Sequence, residues 1–151
     1  LVVLSSTGIQ FIGLDSNGQP SHVLHHEMPV GACWEAICVG KFLVIAASER
    51  GVLVLSSASE RSVQMVSTVK TIEARALAFD GRHLWVGDGR GGVRCCTFNI
   101  MTGDVTQAAI YPVAGFARGI CCAGNSVYIA AGDGGLTHFK VVPDECNSTA
   151  T

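Results

Sequence analysis

Short apolar runs separated by glycine turns extend along the chain, and they predict β-strands. The stretch HLWVGDGRGGVRCCTF, from His83 to Phe98, shows the arrangement best. Its apolar run at Leu84–Val86 is strand-forming, a glycine-rich turn interrupts it, and strand character resumes at Val93. No segment has apolar residues recurring every 3.6 positions over a helical length. The pattern therefore predicts an all-β chain.

This strand–turn–strand unit recurs at nearly constant spacing. It appears again as LVIAASERGVLVLSS from Leu43 and as VYIAAGDGGLTHFKV from Val127. The turn glycines are spaced by 43, 41 and 43 residues, and they are Gly8, Gly51, Gly92 and Gly135. A second series is spaced by 41 and 43 residues, and it comprises Gly40, Gly81 and Gly124. A period of about 40–45 residues is typical of a four-stranded propeller blade.

The repeats divide the chain into blade units 1–29, 30–69, 70–112 and 113–143, followed by a polar tail at 144–151. Strands are predicted at 2–5, 9–14, 21–27, 35–39, 42–47, 52–57, 62–67, 75–79, 83–86, 93–99, 104–110, 119–123, 126–131 and 136–142. The first unit lacks its innermost strand, and the last unit ends after three strands. Continuous apolar runs such as ICVGKFLVIAA indicate strands that are covered on both faces.

The repeat length, the glycine hairpin and the pattern LAFDGRHLWVGDGRGGV together resemble the WD-repeat-like β-propellers over nearly the whole chain. The Gly-His pair of that family is absent, and Phe98-Asn99 and Phe139-Lys140 stand where it has Trp-Asp. A wider propeller class, including ligand-sensing and quinoprotein-type repeats, fits about equally well.

The number of predicted strands indicates how much of a propeller this chain would form. Three, four, four and three strands make half of a seven-bladed ring. We therefore expect an all-β segment of about three and a half four-stranded blades, the C-terminal half of a larger propeller. Two copies would not close cleanly, because each first blade lacks its innermost strand. In the resembling family the last blade commonly takes its fourth strand from the N-terminal region, so the remaining blades are expected upstream or in a partner chain.

Composition and charge limit the classes of partner and the cellular compartments that fit this chain. Of the 151 residues, 48% are hydrophobic and 15% charged, which favours one well-packed domain. The net charge of −2 gives no basic field for nucleic acid, and no apolar run is long enough to span a membrane. The start, LVVLSSTGIQF, does not resemble a signal peptide. We expect a cytoplasmic protein with other proteins, or the remaining blades, as partners.

The seven cysteines leave two interpretations of the compartment open. Their odd number and the lack of a Cys-x-x-Cys motif favour buried, reduced thiols. Disulfides in a secreted protein are the alternative, and the glycosylation-type motif Asn147-Ser148-Thr149 favours it slightly. The adjacent pairs Cys95-Cys96 and Cys121-Cys122 split between the two faces of a strand, so they are interpreted as packing residues.

Catalytic, cofactor and metal sites are not predicted. The Gly-x-Gly-x-x-Gly match at 87–92 is followed by a strand, whereas a phosphate loop needs a helix there. His25 and His26 point to opposite faces of a strand, and His22 lies about 13 Å from His26 along it. No nucleophile elbow is present, and the aspartates, Asp88 included, lie mostly in turns where aspartate is favoured.

Aligning the units identifies a candidate binding rim. Trp34, Arg75 and Arg118 are equivalent and enter the innermost strands, while Glu49, Arg90 and Asp133 are equivalent at the hairpin tips. These residues are either solvated loop positions with packed arginine stems or a partner-binding surface. The binding hypothesis assigns the rim to Trp34, Arg75, Arg90, Phe116 and Arg118, with an acidic or peptide partner.

Binding is therefore favoured over catalysis. The preferred function is a non-catalytic protein–protein interaction platform. The alternatives are a propeller that binds a small ligand or sugar, possibly within an enzyme, and a secreted lectin or receptor fragment.

Overall fold

A computed structural model describes residues 1–5, 7–27, 31–59 and 62–142. The predicted tail at 144–151, with Cys146 and Asn147, lies outside the described residues. Within them, the secondary structure consists of fourteen strands and one short 3-10 turn at Gly132–Gly134. No helix in these ranges is long and apolar enough to cross a membrane. The chain is all-β, as predicted.

The strands form four small antiparallel sheets, each joining strands that are consecutive in the chain. Sheet 1 contains β1 (Val2–Ser5), β2 (Gly8–Leu14) and β3 (Pro20–Glu27). Sheet 2 contains β4 (Glu35–Val39), β5 (Phe42–Ala46), β6 (Val52–Ser59) and β7 (Ser62–Val69). Sheet 3 contains β8 (Ala76–Phe79), β9 (His83–Gly87), β10 (Val93–Phe98) and β11 (Val105–Tyr111). Sheet 4 contains β12 (Gly119–Ala123), β13 (Ser126–Ala130) and β14 (Leu136–Lys140).

Every predicted strand is present, with ends that differ from the prediction by no more than two residues. One of these differences bears on the rim, because Arg75 precedes β8 and does not open it. The sheets hold three, four, four and three strands in chain order. This succession is consistent with part of a propeller.

Three apolar clusters lie between successive sheets and hold them face to face. Strand β5 shows why its apolar run is continuous: Leu43 and Ile45 pack towards sheet 1, and Val44 packs towards sheet 3. Val44 and Ile45 are both 0% exposed although they point in opposite directions. The prediction that such strands are covered on both faces is therefore confirmed for β5.

Trp85 packs between sheets 3 and 4, as its position in β9 predicts. It is 4% exposed and lies in the cluster that contains Val127 and Ile129 of sheet 4. Its indole Nε1 donates a hydrogen bond to Asp80 Oδ2 at 2.8 Å, which fixes the ring orientation. Burial raises the pKa of the Asp80 carboxyl, but hydrogen bonds from His83, Trp85 and Arg82 outweigh it, and the net pKa lies below the usual value.

Candidate partner-binding rim

Equivalent backbone hydrogen bonds hold the predicted rim residues. The amides of Trp34, Arg75 and Arg118 each donate to the carbonyl oxygen at the end of the second strand of the same sheet, at 3.0, 2.8 and 2.9 Å. Each residue lies immediately before the innermost strand of its sheet. The three side chains therefore leave the scaffold from matching positions.

Short β-bridges join the hairpins of sheets 2 and 3 to the connection that leads into the next sheet. Ser48 pairs with Ala74, and Gly89 pairs with Ala117. Ser48 and Gly89 both have φ of +52°, a left-handed backbone that glycine adopts readily and serine does not. These bridges make one continuous edge from the loops of sheets 2, 3 and 4.

Along this edge, arginine and aromatic side chains stack in alternation. The Arg75 guanidinium carbon lies 3.7 Å from the centre of the Trp34 ring and 5.4 Å from that of Phe116. The Arg118 guanidinium carbon lies 5.1 Å from the Phe116 ring centre on the same edge. These separations suit cation–π attraction, so four of the five predicted rim residues form one stack.

Arg75 is the most constrained member of this stack. Its Nη2 donates to Glu73 Oε1 in an ion pair, and its side chain is 22% exposed. Its Nε is buried and has no hydrogen-bond acceptor. Trp34, by contrast, is 55% exposed. The positive charge of Arg75 is therefore largely balanced inside the chain, while the ring beside it faces solvent.

Arg90, the fifth predicted rim residue, lies outside the stack but shares a cleft with it. The cleft has a volume of about 570 Å³ between the hairpin of sheet 3 and the loops of sheet 4. Its lining comprises Arg90, Gly115, Phe116, Arg118, Gly132 and Asp133. Glu49, the equivalent of Arg90 in sheet 2, is exposed and does not line this cleft.

A buried ion pair lies beneath the rim and was not predicted from the sequence. Asp88 is 0% exposed and accepts hydrogen bonds from Arg94 Nε at 2.6 Å and from the amides of Ile72 and Glu73 at 3.1 and 2.6 Å. The interpretation of Asp88 as an ordinary turn residue is therefore wrong. Its carboxylate fixes the connection that carries Glu73, the partner of Arg75.

The repeats contain a signal that could have found this pair. The positions equivalent to Asp88 in the neighbouring units are alanines, Ala47 and Ala131. Those equivalent to Arg94 are Leu53 and Thr137. Opposite charges appear together in one unit at positions that are uncharged in the others, which is typical of a compensating buried pair.

The described cysteines are free thiols that differ strongly in burial. Cys95 and Cys96 are buried in different inter-sheet clusters, as predicted for neighbours on a strand. Burial raises the pKa of Cys96 to about 12 and that of Cys122 to about 11. The pKa values of Cys33 and Cys95 are also raised by burial. Cys38 and Cys121 are exposed.

Thiol labelling should reflect this burial. At pH 8, iodoacetamide is expected to modify Cys38 and Cys121 quickly, because the raised pKa values and burial of the other described thiols keep them protonated and covered. A Cys146→Ser background removes the cysteine outside the described residues. Peptide mass spectrometry before and after urea unfolding measures each site. Fast labelling of Cys96 in the folded protein would contradict its buried position. If the intact mass of the protein is lower before reduction than after it, the chain contains disulfides.

No protein-family model matches the sequence, and the search of curated proteins gave no significant match. Solved structures do resemble the fold. The computationally designed Ika4 protein is 16% identical with a TM-score of 0.60, over 93% of this chain and 89% of that chain. A protein from Lactobacillus plantarum is 15% identical with a TM-score of 0.64, over 89% of this chain and 51% of that chain.

A chain in a nidogen/laminin complex is also similar, at 13% identity and a TM-score of 0.60, over 95% of this chain and 61% of that chain. The chain thus spans about half of the Lactobacillus plantarum protein and less than two thirds of the chain in the complex. At these identities the likeness concerns the fold alone. It supports an all-β, propeller-like fold, and membership of the WD-repeat family stays a prediction.

Proposed function

We propose that this chain is a non-catalytic protein–protein interaction platform whose rim binds an acidic partner. The rim is formed by Trp34, Arg75, Arg90, Phe116 and Arg118. The observation that carries the proposal is the arginine–aromatic stack on loops that backbone bonds hold in place. Tryptophan and arginine are enriched among interface hot spots, and loops on a rigid scaffold commonly carry binding sites.

The local charge supports an acidic partner. The whole chain carries −2, yet its rim concentrates three arginines. Glu73 balances Arg75, which leaves Arg90 and Arg118 opposed by Asp133 alone at the cleft. A local positive field of this kind steers negatively charged partners and selects their orientation.

We further propose that the chain is the C-terminal half of a larger, seven-bladed WD-repeat-like propeller in the cytoplasm. Two observations support the presence of further blades next to sheet 4 in the complete propeller. Among the described residues, the outermost strand of sheet 4 is β14, whereas sheets 2 and 3 have a fourth strand, β7 or β11, outside the equivalent position. Tyr128 occupies the position of Val44 and Trp85, which are buried against a following sheet.

A second cavity bears on the small-ligand alternative. It has a volume of about 600 Å³, lies between β11 and β14, and is lined by residues that include Trp85, Tyr111 and Phe139. A strand added to β14 would occupy this space, as β11 does in sheet 3. The cavity therefore favours a further strand over a small ligand. An isolated chain that sedimented as a monomer and unfolded cooperatively would contradict this assembly.

The rim is tested by reversing two of its charges. The variant Arg75→Glu/Arg118→Glu should lose acidic proteins that the unchanged chain retains from a cytoplasmic extract. Position 118 would then repel an acidic partner, and position 75 would place a carboxylate beside Glu73 and remove the cation from the stack. Arg82→Glu is the control, since it lies in the turn between β8 and β9, at the opposite end of the sheet from the β9–β10 hairpin. Quantitative mass spectrometry compares the retained proteins. If the double variant retains the same proteins as the unchanged chain, the proposed rim is wrong.

A further inference from the structure

We propose that the cleft between Arg90 and Arg118 binds a single oxyanion of the partner, either a side-chain carboxylate or a phosphoryl group. Arg75 serves as a positioning residue beside it. This inference rests on the proposed function of the rim and assigns different tasks to its three arginines. Both oxyanions present the same chemistry to a guanidinium, namely oxygen acceptors that it can bind in a bidentate manner.

The three arginines differ in how far their charge is already used. Arg75 is paired with Glu73 and stacked between Trp34 and Phe116, so its guanidinium has little capacity for an external anion. Arg90 and Arg118 are exposed. Within the described part of the chain, neither of their guanidinium groups forms an ion pair or a hydrogen bond. Their donors are therefore available to a ligand.

The two arginines reach the cleft from different loops. Arg90 comes from the hairpin of sheet 3, Arg118 from the connection into sheet 4, and both line the same volume of about 570 Å³. The Phe116 ring, 5.1 Å from the Arg118 guanidinium carbon, restricts the movement of that side chain. Gly115 and Gly132, which have no side chains, form part of the lining and let a ligand approach the backbone closely.

Asp133 makes the cleft selective. Asp133 lines the same volume, so two arginines and one aspartate leave a formal charge of +1. A cleft with this charge suits one oxyanion better than a cluster of them. The Asp133 carboxylate can also accept a hydrogen bond from a backbone amide of the partner. This combination fits an acidic or phosphorylated residue in an extended peptide better than a free polyanion.

The test measures the binding of matched peptides to the full chain by fluorescence anisotropy. Three fluorescein-labelled peptides share one neutral sequence and differ only at a central residue, which is glutamine, glutamate or phosphoserine. We expect the glutamate or the phosphoserine peptide to bind and the glutamine peptide not to bind. The two charged peptides show which oxyanion is preferred.

Variants locate the binding on the cleft. Arg90→Gln and Arg118→Gln should each weaken binding about tenfold, and each should flatten the decline of affinity with added salt, because a screened charge pair is lost. Arg75→Gln should leave that salt dependence unchanged. Asp133→Asn should tighten binding, most strongly for phosphoserine. Arg82→Gln is the control. It removes one positive charge at the opposite end of sheet 3 from the cleft, and it should bind the peptides as tightly as the unchanged chain does.

Each contrary outcome has a distinct meaning. If neither charged peptide binds, or if Arg90→Gln and Arg118→Gln bind as well as the unchanged chain, the oxyanion cleft is wrong. The rim would still stand if Arg75→Glu/Arg118→Glu loses its retained partners. If that double variant keeps them, the rim is wrong independently of the peptides.

Discussion

Replacing Asp88 by alanine should destabilise the chain by about 3–5 kcal/mol, since removing one member of a buried ion pair leaves the other charge without compensation. Asp88 is fully buried, and the Arg94 side chain that it pairs with is 11% exposed. Two backbone amides of the connection into sheet 3 would also lose their acceptor. Because domains are stable by only about 5–15 kcal/mol, this change removes a large part of the total.

Urea unfolding followed by tryptophan fluorescence measures the loss. Asp133→Ala is the matched control, because Asp133 is exposed and its side chain forms no ion pair or hydrogen bond with the described residues. A double variant, Asp88→Ala/Arg94→Met, should recover part of the stability, because it also removes the buried charge that has lost its partner. The backbone amides of Ile72 and Glu73 would still lack their acceptor. A loss for Asp88→Ala as small as that for Asp133→Ala would contradict the buried pair.

Much of the fold was predictable because the same strand and turn pattern recurs in each repeat of the sequence. Glycines that need a left-handed backbone recur at the hairpins, and apolar runs between them mark strands that two neighbouring sheets cover. Gly51 and Gly92 have φ of +91° and +81°, in agreement with that interpretation. The equivalence of Trp34, Arg75 and Arg118 followed from the same spacing, and their matching backbone bonds confirm it.

The contacts between loops could not be predicted in the same way. Whether an aspartate beside a hairpin is solvated or buried depends on which loop of the next sheet lies over it. The bridge between Gly89 and Ala117 sets such a placement, and so does the pairing of Asp88 with the amides before β8. Glu73 therefore gave no sign in the sequence that it would neutralise Arg75 and leave Arg90 and Arg118 available.

Gly92→Ala is the second change with a large expected effect, about 2–5 kcal/mol. A left-handed backbone costs a non-glycine residue about 1–2 kcal/mol, and forcing a methyl group into packed structure adds about 1–3 kcal/mol. At Gly92 both costs apply, because φ is +81° and a Cβ would overlap the carbonyl oxygen of Tyr111 on the outermost strand. Gly51 meets the carbonyl of Val69 in the same way.

Gly135 is the matched control that the repeat provides. It is the equivalent of Gly92, with φ of +74°, but a Cβ there would meet nothing within 4 Å. Gly135→Ala should therefore cost only the backbone term, about 1–2 kcal/mol. Urea unfolding of both variants at low protein concentration gives the comparison. Equal small costs would contradict the close approach at Gly92. Equal large costs would mean that a strand covers β14 in solution, which is what the proposed propeller requires once its missing neighbours are present.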